Sequence, residues 1–346
     1  MVTSEAPPFW WEKPDWRAWM LTPFSALYGL VAARRMASAR REKMAAPVLC
    51  VGNFTVGGAG KTPAAIALAD AAREAGRKPG ILSRGHGGSL SGPHLVDLEH
   101  DGARHVGDEP MLLARAAPVA VTPDRAAGAR LLIDQGCDFL IMDDGFQSAR
   151  IHIDHALVVV DGRRGLGNGY TLPAGPMRAP LHAQMRHADA LLVVGEGEAA
   201  STAIRQAARA GKPVHHASVR TRNGAEVAGR RVLAFAGIGE PAKFFDTVAK
   251  AGGELAKTRA FGDHHAFSDA DIRELESEAD RAGLVPVTTA KDAVRMSTGS
   301  SAAREFARRL TVIEIGLVFE PEDAPERIIA ATLAAHEARR HGVSRS

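Results

Sequence analysis

The stretch FTVGGAGKTP, residues Phe54 to Pro63, decides how this sequence is interpreted. It follows the apolar run Val48 to Val51 and leads into a helix-forming segment. In such a strand–turn–helix unit the glycines let backbone N–H groups face an anion, a lysine reaches the terminal phosphates, and the hydroxyl residue after it binds Mg²⁺. The predicted nucleotide-phosphate residues are Thr55, Val56, Gly57, Gly58, Ala59, Gly60, Lys61 and Thr62, with Lys61 also assigned to catalysis and Thr62 to the metal.

Strand-like and helix-like segments alternate along most of the 346-residue chain. Apolar runs such as Phe139 to Met142 are separated by helical patterns such as Asp124 to Gln135. This alternation is typical of a parallel sheet with helices on both faces. The predicted fold class is α/β, a P-loop NTPase-like parallel sheet with a second, smaller α/β domain joined to it by a short β linker.

The sequence divides into four predicted segments. Residues 1–45 are predicted to form an N-terminal amphipathic helix, and residues 46–215 the P-loop core domain. Residues 216–229 form a β-hairpin linker in this prediction, because Asn223-Gly224 favours a two-residue hairpin turn. Residues 230–346 form a second α/β domain with a closing C-terminal helix.

Composition limits the classes of protein that the chain can belong to. It is 45% hydrophobic and 24% charged, which is ordinary for a globular protein and excludes gross disorder. The net charge of +3 argues against a dedicated nucleic-acid binder, so no nucleic-acid partner is expected. Cys50 and Cys137 lie in apolar runs, which indicates buried thiols in a reducing, cytoplasmic compartment rather than a disulfide framework.

The N-terminal segment differs from the rest of the chain. Trp19 to Ala33 carries no charge, but Pro23 interrupts it and it is shorter than the roughly 20 residues that span a bilayer. Tryptophans lie near one end, and a basic cluster from Arg34 to Lys43 follows the other. This pattern fits a helix lying in the interface of an anionic membrane surface, and the alternative is a helix packed on its own domain.

Two pairs of carboxylates are candidates for the chemistry. Asp143 and Asp144 follow the apolar run FLIM, so they emerge at the carboxyl edge of the sheet, where a metal ligand is needed; the alternative is a pair that caps a turn. Asp108 and Glu109 in GDEP precede a helix-like run and could equally serve as its cap and first-turn charge. The predicted metal ligands are Thr62, Asp143, Asp144 and Glu109.

Taken together in order and spacing, the motifs resemble the tetraacyldisaccharide 4′-kinase family of lipid A synthesis. They are VGNFTVGGAGKTP, SRGHGG, GDEP, VTPDR, DDGFQ, GNGYTLPAGPMRAP, FAGIGEPAKFF, DHHAFSD and TTAKDAVR. The resemblance implies transfer of the γ-phosphoryl group of ATP, with Mg²⁺, to the 4′-hydroxyl of a tetraacylated glucosamine disaccharide 1-phosphate, giving lipid IVA. It also implies a location at the cytoplasmic face of the bacterial inner membrane, with the lipid substrate and that membrane surface as partners.

The resemblance also implies roles for individual residues. Asp108 matches the catalytic carboxylate of the family and His264 matches the histidine that partners it, although a His pair alone is also typical of a surface loop. Residues from the shared motifs are predicted to bind the substrate, namely Arg84, Arg125, Asn168 and Arg178. Three arginines flank the GNG…LPAGP segment and could hold the 1-phosphate or equally be solvated surface charge: Arg163, Arg164 and Arg178.

The sequence departs from the family pattern at several positions. Thr55 stands where the phosphate loop usually has glycine. The other departures are His86, Ser148, Ala179, Ala290 and Arg295. The main alternative function is a membrane-associated P-loop switch NTPase, and a second is a kinase for a soluble metabolite, against which the N-terminal segment counts.

Overall fold

The structure, a computed structural model, describes residues 6–85, 88–90, 92–148 and 150–342. The strands within these ranges are β1 (Val48–Asn53), β2 (Pro79–Ser83), β3 (His94–Leu95), β4 (Val119–Val121), β5 (Phe139–Asp143), β6 (His155–Asp161), β7 (Ala190–Val194), β8 (Val214–Thr221), β9 (Arg231–Ala236), β10 (Glu254–Ala260), β11 (Val285–Thr289), β12 (Thr311–Ile313) and β13 (Ile315–Glu320). The α-helices are α1 (Trp16–Ser38), α2 (Lys61–Glu74), α3 (Ala103–Val106), α4 (Asp108–Leu113), α5 (Arg125–Asp134), α6 (Leu181–His187), α7 (Ser201–Arg209), α8 (Pro241–Lys250), α9 (Asp269–Ala282), α10 (Ala290–Ser297), α11 (Ser301–Ala307) and α12 (Ala324–Arg340).

A nine-stranded sheet forms the centre of the larger domain, in the order β13-β8-β7-β6-β1-β5-β2-β4-β3. Seven of these strands run parallel, and the edge strands β3 and β13 pair antiparallel with their neighbours. The strand order reverses beside β1, because β5, β2 and β4 lie on one side of it and β6, β7 and β8 on the other. Open α/β sheets bind ligands at such a switch point, and β1 leads directly into the phosphate loop.

Both faces of the central strands are buried, as expected for a parallel sheet. In β1, Val48 and Cys50 belong to a core cluster that also contains residues of α5, α6 and α7. Leu49 and Val51 belong to a cluster on the opposite face that contains residues of α2, α4 and α12. Burial on both faces explains why these strands have continuous apolar runs, which made their positions predictable to within one or two residues.

The smaller domain is built on a second parallel sheet, in the order β10-β9-β11-β12. Phe235 in β9 faces a cluster with residues of α9, α10 and α11. Ala234 faces another cluster that includes Phe244 and Val248 of α8. The edge strand β10, with sequence ELAKTRA, is largely exposed, so it lacks the buried run that β9 and β11 contain.

The predicted β-hairpin linker at residues 216–229 is not what the structure contains. Strand β8 pairs antiparallel with β13, which lies about a hundred residues further along the chain, from Thr221↔Ile315 to His216↔Glu320. Asn223 lies between the two domains, where its side chain donates to the Val312 carbonyl and accepts from the Glu314 N–H, at 2.8 and 3.0 Å. The polar stretch therefore does lie where the chain passes between the two domains. The strand that pairs with β8 is not the next one in the sequence but β13.

The predicted range of the second domain, residues 230–346, also differs from the structure. Strands β12 and β13 follow each other directly in the sequence but belong to different sheets. Helix α12 then packs on the larger domain, where Ile328 and Ile329 join the core beneath α2. The apolar pattern of a segment does not specify which of two sheets a strand joins or a helix packs against. The return of the chain to the larger domain could therefore not be predicted from periodicity.

Helix α1 lies on the surface of the larger domain and contacts it along one narrow stripe. The Ser25 and Thr171 hydroxyls each donate to the other residue's carbonyl at 2.8 Å, and a Cβ on Gly29 would lie 3.2 Å from Pro180 Cγ. Large apolar side chains cover the outward face, with exposed fractions from 40 to 69%: Trp16, Trp19, Met20, Phe24, Leu27, Tyr28, Leu30 and Val31. Among the described residues, no helix has the length and apolar character needed to cross a bilayer.

Candidate active site

The phosphate loop lies between β1 and α2. Gly57 and Gly60 have φ values of 93° and 89°, in the left-handed region that favours glycine. A Cβ on Gly57 or Gly58 would meet no atom within 4 Å among the described residues, so this side of the loop is open. Gly60 precedes the first residue of α2, whose leading N–H groups have no partner within the helix. This arrangement presents backbone donors and the positive end of a helix to a bound phosphate.

The segment from Gly169 to Arg178 holds the phosphate loop in place. The Val56 N–H donates to the Pro176 carbonyl at 2.9 Å, and Thr55 forms an isolated antiparallel bridge with Met177. Thr55, the departure from the usual glycine, is buried at this bridge, so its side chain is accommodated. The Val56 amide is therefore committed to the protein, which leaves the donors from Gly57 onward for a ligand.

Asp144 connects the end of β5 to the phosphate loop. Arg178 forms two hydrogen bonds with the Asp144 carboxylate, at 2.7 and 3.0 Å, and a third with the Thr55 carbonyl at 3.1 Å. Lys61 Nζ lies 3.9 Å from Asp144 Oδ1 on the other side. Burial opposes ionisation of Asp144, but the charges of Lys61 and Arg178 hold its pKa below the usual range. Asp144 therefore remains a carboxylate at neutral pH.

Asp143 has the opposite electrostatic environment. It is 2% exposed, and no protein group in the described chain donates a hydrogen bond to its buried Oδ1 atom. Burial, followed by the negative charge of Glu109, raises the pKa of Asp143 to about 7. A buried carboxylate oxygen that lacks a donor fits a metal ligand, because a cation would supply the charge that the protein does not.

A second pair of acids faces this strand end from α4. Asp108 and Glu109 are the first residues of that helix, and Gly107 before them has a φ of 97°, which only glycine adopts readily. Asp108 is 5% exposed and its Oδ1 accepts the Glu109 N–H at 3.0 Å. The acids therefore lie at the start of a helix, as expected if they served only as its cap and first-turn charge. However, Asp108 Oδ2 and Glu109 Oε1 face the smaller domain.

Two cations of α10 in the smaller domain contact this pair of acids. Arg295 contacts Asp108 through Nε at 3.0 Å and through Nη2, while its Nη1 donates to Asp292 at 2.8 Å and to the Gly237 carbonyl at 2.7 Å. Lys291 Nζ lies 2.5 Å from Glu109 Oε1. Asp292 is fully buried and orients Arg295 from behind. This part of the interface between the domains is thus an ionic cluster around the two acids.

His264 also reaches this cluster from the smaller domain. Its Nδ1 lies 3.2 Å from Asp108 Oδ2, although the two residues are far apart in sequence. His264 has a φ of 56° and its backbone N–H donates to the Gly237 carbonyl at 3.1 Å, so a turn fixes its position. The side chain is 43% exposed, which leaves the imidazole open to the cleft. The structure therefore brings Asp108 and His264 together at hydrogen-bond distance.

The charges of the cluster determine which forms of the acids persist. Burial would raise the pKa of Asp108, but the hydrogen bond from His264 and the charges of Arg295 and Lys291 hold it far below the usual range. Glu109 behaves similarly, since Lys291 outweighs its burial and lowers its pKa. The hydrogen bond to Asp108 raises the pKa of His264 above its ordinary value. In this state Asp108 is an ionised carboxylate, and His264 holds a proton to a higher pH than a free histidine.

Sequence reasoning missed the partners of the acids. Lys291 and Arg295 belong to the motif TTAKDAVR, which was recognised, but no role was assigned to either cation. Their spacing of four residues places both on one face of a helix, which was the available signal. Nothing in the sequence indicated that this face meets α4.

The structure places the predicted substrate residues differently from one another. Arg178 and Asn168 contact protein groups, since Asn168 donates to the carbonyls of Phe9 and Ala174 at 3.2 and 2.9 Å. Arg125 is 3% exposed and donates to the carbonyls of Asp143 and Asp144. Arg84 is exposed at the end of β2. Substrate binding by these four residues stays a prediction.

Three further residues named in the sequence analysis remain to be placed: Arg163, Arg164 and His86. Arg164 and Arg163 contact Glu240 and Asp246 of the smaller domain, so both are engaged in ion pairs across the two domains. Their assignment to the 1-phosphate therefore receives no support from their contacts. His86 lies outside the described residues.

A phosphate loop on β1, acids at the end of β5, and a carboxylate fixed against a histidine at the facing edge define the class of P-loop phosphotransferases. The chain matches the family described as tetraacyldisaccharide-1-P 4′-kinase over residues 17–334. It is 59% identical over 340 residues to the tetraacyldisaccharide 4′-kinase of Mesorhizobium japonicum, covering 98% of this chain and 99% of that protein. It is 56% identical over 341 residues to the corresponding protein of Brucella suis, covering 99% of this chain and 100% of the relative.

A solved structure is also similar. The crystal structure of the "apo" form of LpxK from Aquifex aeolicus in complex with ATP superposes with a TM-score of 0.71 at 25% identity, covering 91% of this chain and 99% of that chain. The chain belongs to the tetraacyldisaccharide 4′-kinase family. The predicted family, the P-loop NTPase-like α/β fold class and the kinase activity class are confirmed, and the alternative of a switch NTPase is set aside.

Proposed function

We propose that this chain transfers the γ-phosphoryl group of ATP to the 4′-hydroxyl of a tetraacylated glucosamine disaccharide 1-phosphate, and that it does so with Asp108 beside the attacking oxygen. The observation that carries this proposal is the Asp108–His264 contact of 3.2 Å at the edge of the sheet that holds the phosphate loop. A switch NTPase orients water, whereas a kinase must hold an alcohol. A carboxylate fixed by a second domain suits the positioning of an alcohol.

The roles follow from the surroundings of each group. The backbone of residues 57–62 and the Lys61 ammonium group hold the phosphates, and Thr62, Asp143 and Asp144 would hold Mg²⁺. When bound, the metal neutralises charge that develops on the phosphoryl oxygens. Glu109 is paired with Lys291, so its predicted contact with the metal requires that this ion pair open.

Asp108 orients the alcohol rather than removing its proton at the start. Its lowered pKa makes it a weak base, and phosphoryl transfer needs a proton acceptor only late, when the new P–O bond has formed. The bond from the γ-phosphorus to the β,γ-bridging oxygen breaks, and ADP leaves with that oxygen. The proton of the 4′-hydroxyl passes to Asp108, and His264 holds the carboxylate in position.

The acceptor experiment tests this function directly. The full chain is incubated with γ-labelled ATP and Mg²⁺, with and without tetraacyldisaccharide 1-phosphate in detergent micelles. We expect label in the lipid, ADP formation that requires the lipid, and no label when the acceptor already carries a 4′-phosphate. ADP formation at one rate with or without lipid would instead indicate a switch NTPase, and transfer to soluble sugars would indicate a metabolite kinase.

Helix α1 supports a location at the cytoplasmic face of the inner membrane. Its exposed apolar face and the basic cluster that follows it match a helix lying in an anionic interface. A groove of about 470 Å³ beneath the helix is lined by residues including Ala26, Met177, Leu181 and Met185. Met177 also bridges to Thr55, so the groove adjoins the phosphate loop and gives the acyl chains of a lipid a route toward it.

A surface variant tests the membrane contact. Replacing Met20, Phe24 and Leu27 with serine should abolish co-sedimentation with vesicles of phosphatidylglycerol, because about 2 kcal/mol of burial is lost per side chain. Nucleotide binding should be unchanged. The matched control replaces Val219 and Val318, exposed apolar residues on the β8–β13 ribbon, with serine. Equal sedimentation of the α1 variant and this control would show that α1 does not contact the membrane.

A further inference from the structure

A cluster of two histidines and an aspartate lies in a part of the larger domain that the proposed reaction does not use. His94 Nε2 lies 2.6 Å from Asp101 Oδ2, and His105 Nδ1 lies 2.7 Å from Asp101 Oδ1. Each of the three residues offers one potential ligand atom, and these atoms all lie within 4.8 Å of one another. Within the described ranges, this is the group of three or more His, Cys, Asp or Glu residues that meets this condition. Both imidazoles therefore converge on the two oxygens of one carboxylate.

The central carboxylate is held more firmly than a surface aspartate. The Asp101 side chain is 5% exposed, and its Oδ2 also accepts the Asp97 N–H at 2.9 Å. The Asp101 N–H in turn donates to the Asp97 carbonyl at 2.8 Å, so a closed turn fixes the backbone. The His94 and His105 side chains are 33% and 47% exposed, which leaves the open side of the cluster accessible from solvent.

We propose that His94, Asp101 and His105 bind a divalent first-row transition metal such as Zn²⁺. Two imidazoles and one carboxylate are a set that Zn²⁺ accepts with a fourth position left to water, and that Fe²⁺ accepts in a facial arrangement. The ion would replace the two hydrogen bonds between the imidazole rings and the carboxylate. Hard oxygen-binding Mg²⁺, which the phosphate site takes, is a poor match for two imidazoles.

The position of the cluster gives the ion a structural role. His94 is in the edge strand β3, and His105 is in α3, three residues before Asp108. Helix α3 begins against the smaller domain, where the Ala103 N–H donates to Thr298 Oγ1 at 3.2 Å. An ion shared by β3 and α3 therefore fixes the segment that carries Asp108 and touches α10. Metal binding should stabilise the folded protein, because a site assembled only in the native state shifts the equilibrium toward that state.

The test measures metal binding to the full chain without an affinity tag. Co²⁺ is added to metal-stripped protein, its visible absorption is followed, and Zn²⁺ is then added in competition. We expect one Co²⁺ per chain with the intensity of a four- or five-coordinate site, displaced by Zn²⁺, and a rise in Tm on Zn²⁺ binding. In His94→Gln/His105→Gln the affinity should fall by more than about 100-fold, the upper end of what losing an outer-shell partner alone costs.

His100 provides the matched control. It lies in the same turn and pairs with Asp97 at 2.7 Å, but its side chain is 79% exposed and meets a single carboxylate. His100→Gln should keep the affinity of the wild-type chain. The proposal is overturned if wild-type protein binds no Co²⁺ above the level of the double variant, or if His100→Gln loses the site equally. Because these readouts do not involve phosphoryl transfer, they are independent of the kinase assignment.

Discussion

The phosphate loop and the acidic pair of α4 lie on the same edge of the large sheet, but they are built in different ways. The loop is one continuous stretch, shaped by left-handed glycines and by the backbone hydrogen bond from Val56 to Pro176. The acidic pair has its shape because cations from a second domain hold it, through Arg295 on Asp108 and Lys291 on Glu109. The first is fixed by local backbone geometry, and the second exists only when two domains meet.

This difference predicts two kinds of response to substitution. A side chain of the loop can be removed without loss of the fold, because backbone atoms define the loop. A side chain of the ionic cluster cannot be changed in isolation, because its charges are paired with one another around the buried Asp108 and Asp292 and the largely buried Arg295 side chain, and removal of one partner leaves the other uncompensated. Substitutions in the loop should therefore affect catalysis alone, and those in the cluster should affect catalysis and stability together.

The largest effect is expected from Lys61→Ala. In the proposed mechanism the lysine supplies positive charge at the terminal phosphates, so kcat for phosphoryl transfer should fall by about 10³-fold or more. Tm should stay within about 2 °C of wild type, since Asp144 retains its two hydrogen bonds with Arg178. Kinetics and calorimetry measure the two quantities, with the exposed Lys250→Ala as control. A folded Lys61→Ala protein with near-native turnover would remove the phosphate loop from the mechanism.

Asp143→Asn should reduce activity by about 100-fold while stabilising the ligand-free protein at high pH. The pKa of Asp143 is raised from 3.8 to about 7, so the folded protein keeps a proton that the unfolded chain has released. Stability of the wild type therefore falls as pH rises from about 4 through 7. The asparagine removes this titration, so the variant should have the higher Tm at pH 8 and little advantage at pH 4.

The neighbouring substitution gives the opposite sign and serves as the matched control. Asp144 has a lowered pKa and pairs with Arg178, so Asp144→Asn should lower Tm at pH 8. Thermal melts of both variants between pH 4 and 8 distinguish the two environments. Equal shifts of Tm in both variants would contradict a raised pKa for Asp143 and a lowered pKa for Asp144.

A smaller effect is expected from Arg295→Lys, at the residue of α10 that contacts Asp108. One ammonium group cannot reproduce the contacts of the guanidinium with Asp108, Asp292 and the Gly237 carbonyl. We expect the free energy of unfolding to fall by about 1–3 kcal/mol and kcat by about 10-fold. Arg309→Lys, on a surface ion pair, is the control and should change neither quantity. Loss of activity at unchanged stability would place Arg295 on the substrate instead.

The phosphate loop could be predicted from the sequence more completely than the ionic cluster, because the loop depends on adjacent residues and the cluster on contacts between two domains. The strand before Phe54, the glycines and the Lys-Thr pair are adjacent, so their spacing contains the geometry of the loop. The contact of His264 with Asp108 was expected through the family resemblance, since neither residue stands in a local pattern that specifies the other. The cations of α10 were missed because their partners lie on a helix of the other domain.

The fold shows the same division. Strand β1 is buried on both faces and was predicted from its apolar run, whereas β10 is largely exposed and was not. Strand β13 was assigned to the wrong sheet, because its antiparallel pairing with β8 joins segments about a hundred residues apart. Local periodicity specifies what an element is, and long-range pairing specifies where it goes.

A double-mutant cycle on Asp108 and His264 tests most directly whether the transfer centre is assembled from both domains. Asp108→Asn and His264→Gln are each expected to lower kcat strongly, with the double variant little worse than the poorer single variant, because the two side chains act as one unit. Thermal melts show which variants remain folded, and Asp134→Asn, an exposed aspartate at the end of α5, is the control. Additive losses of kcat, with the double variant reduced by the product of the two single effects, would contradict a shared centre and leave Asp108 and His264 with independent roles.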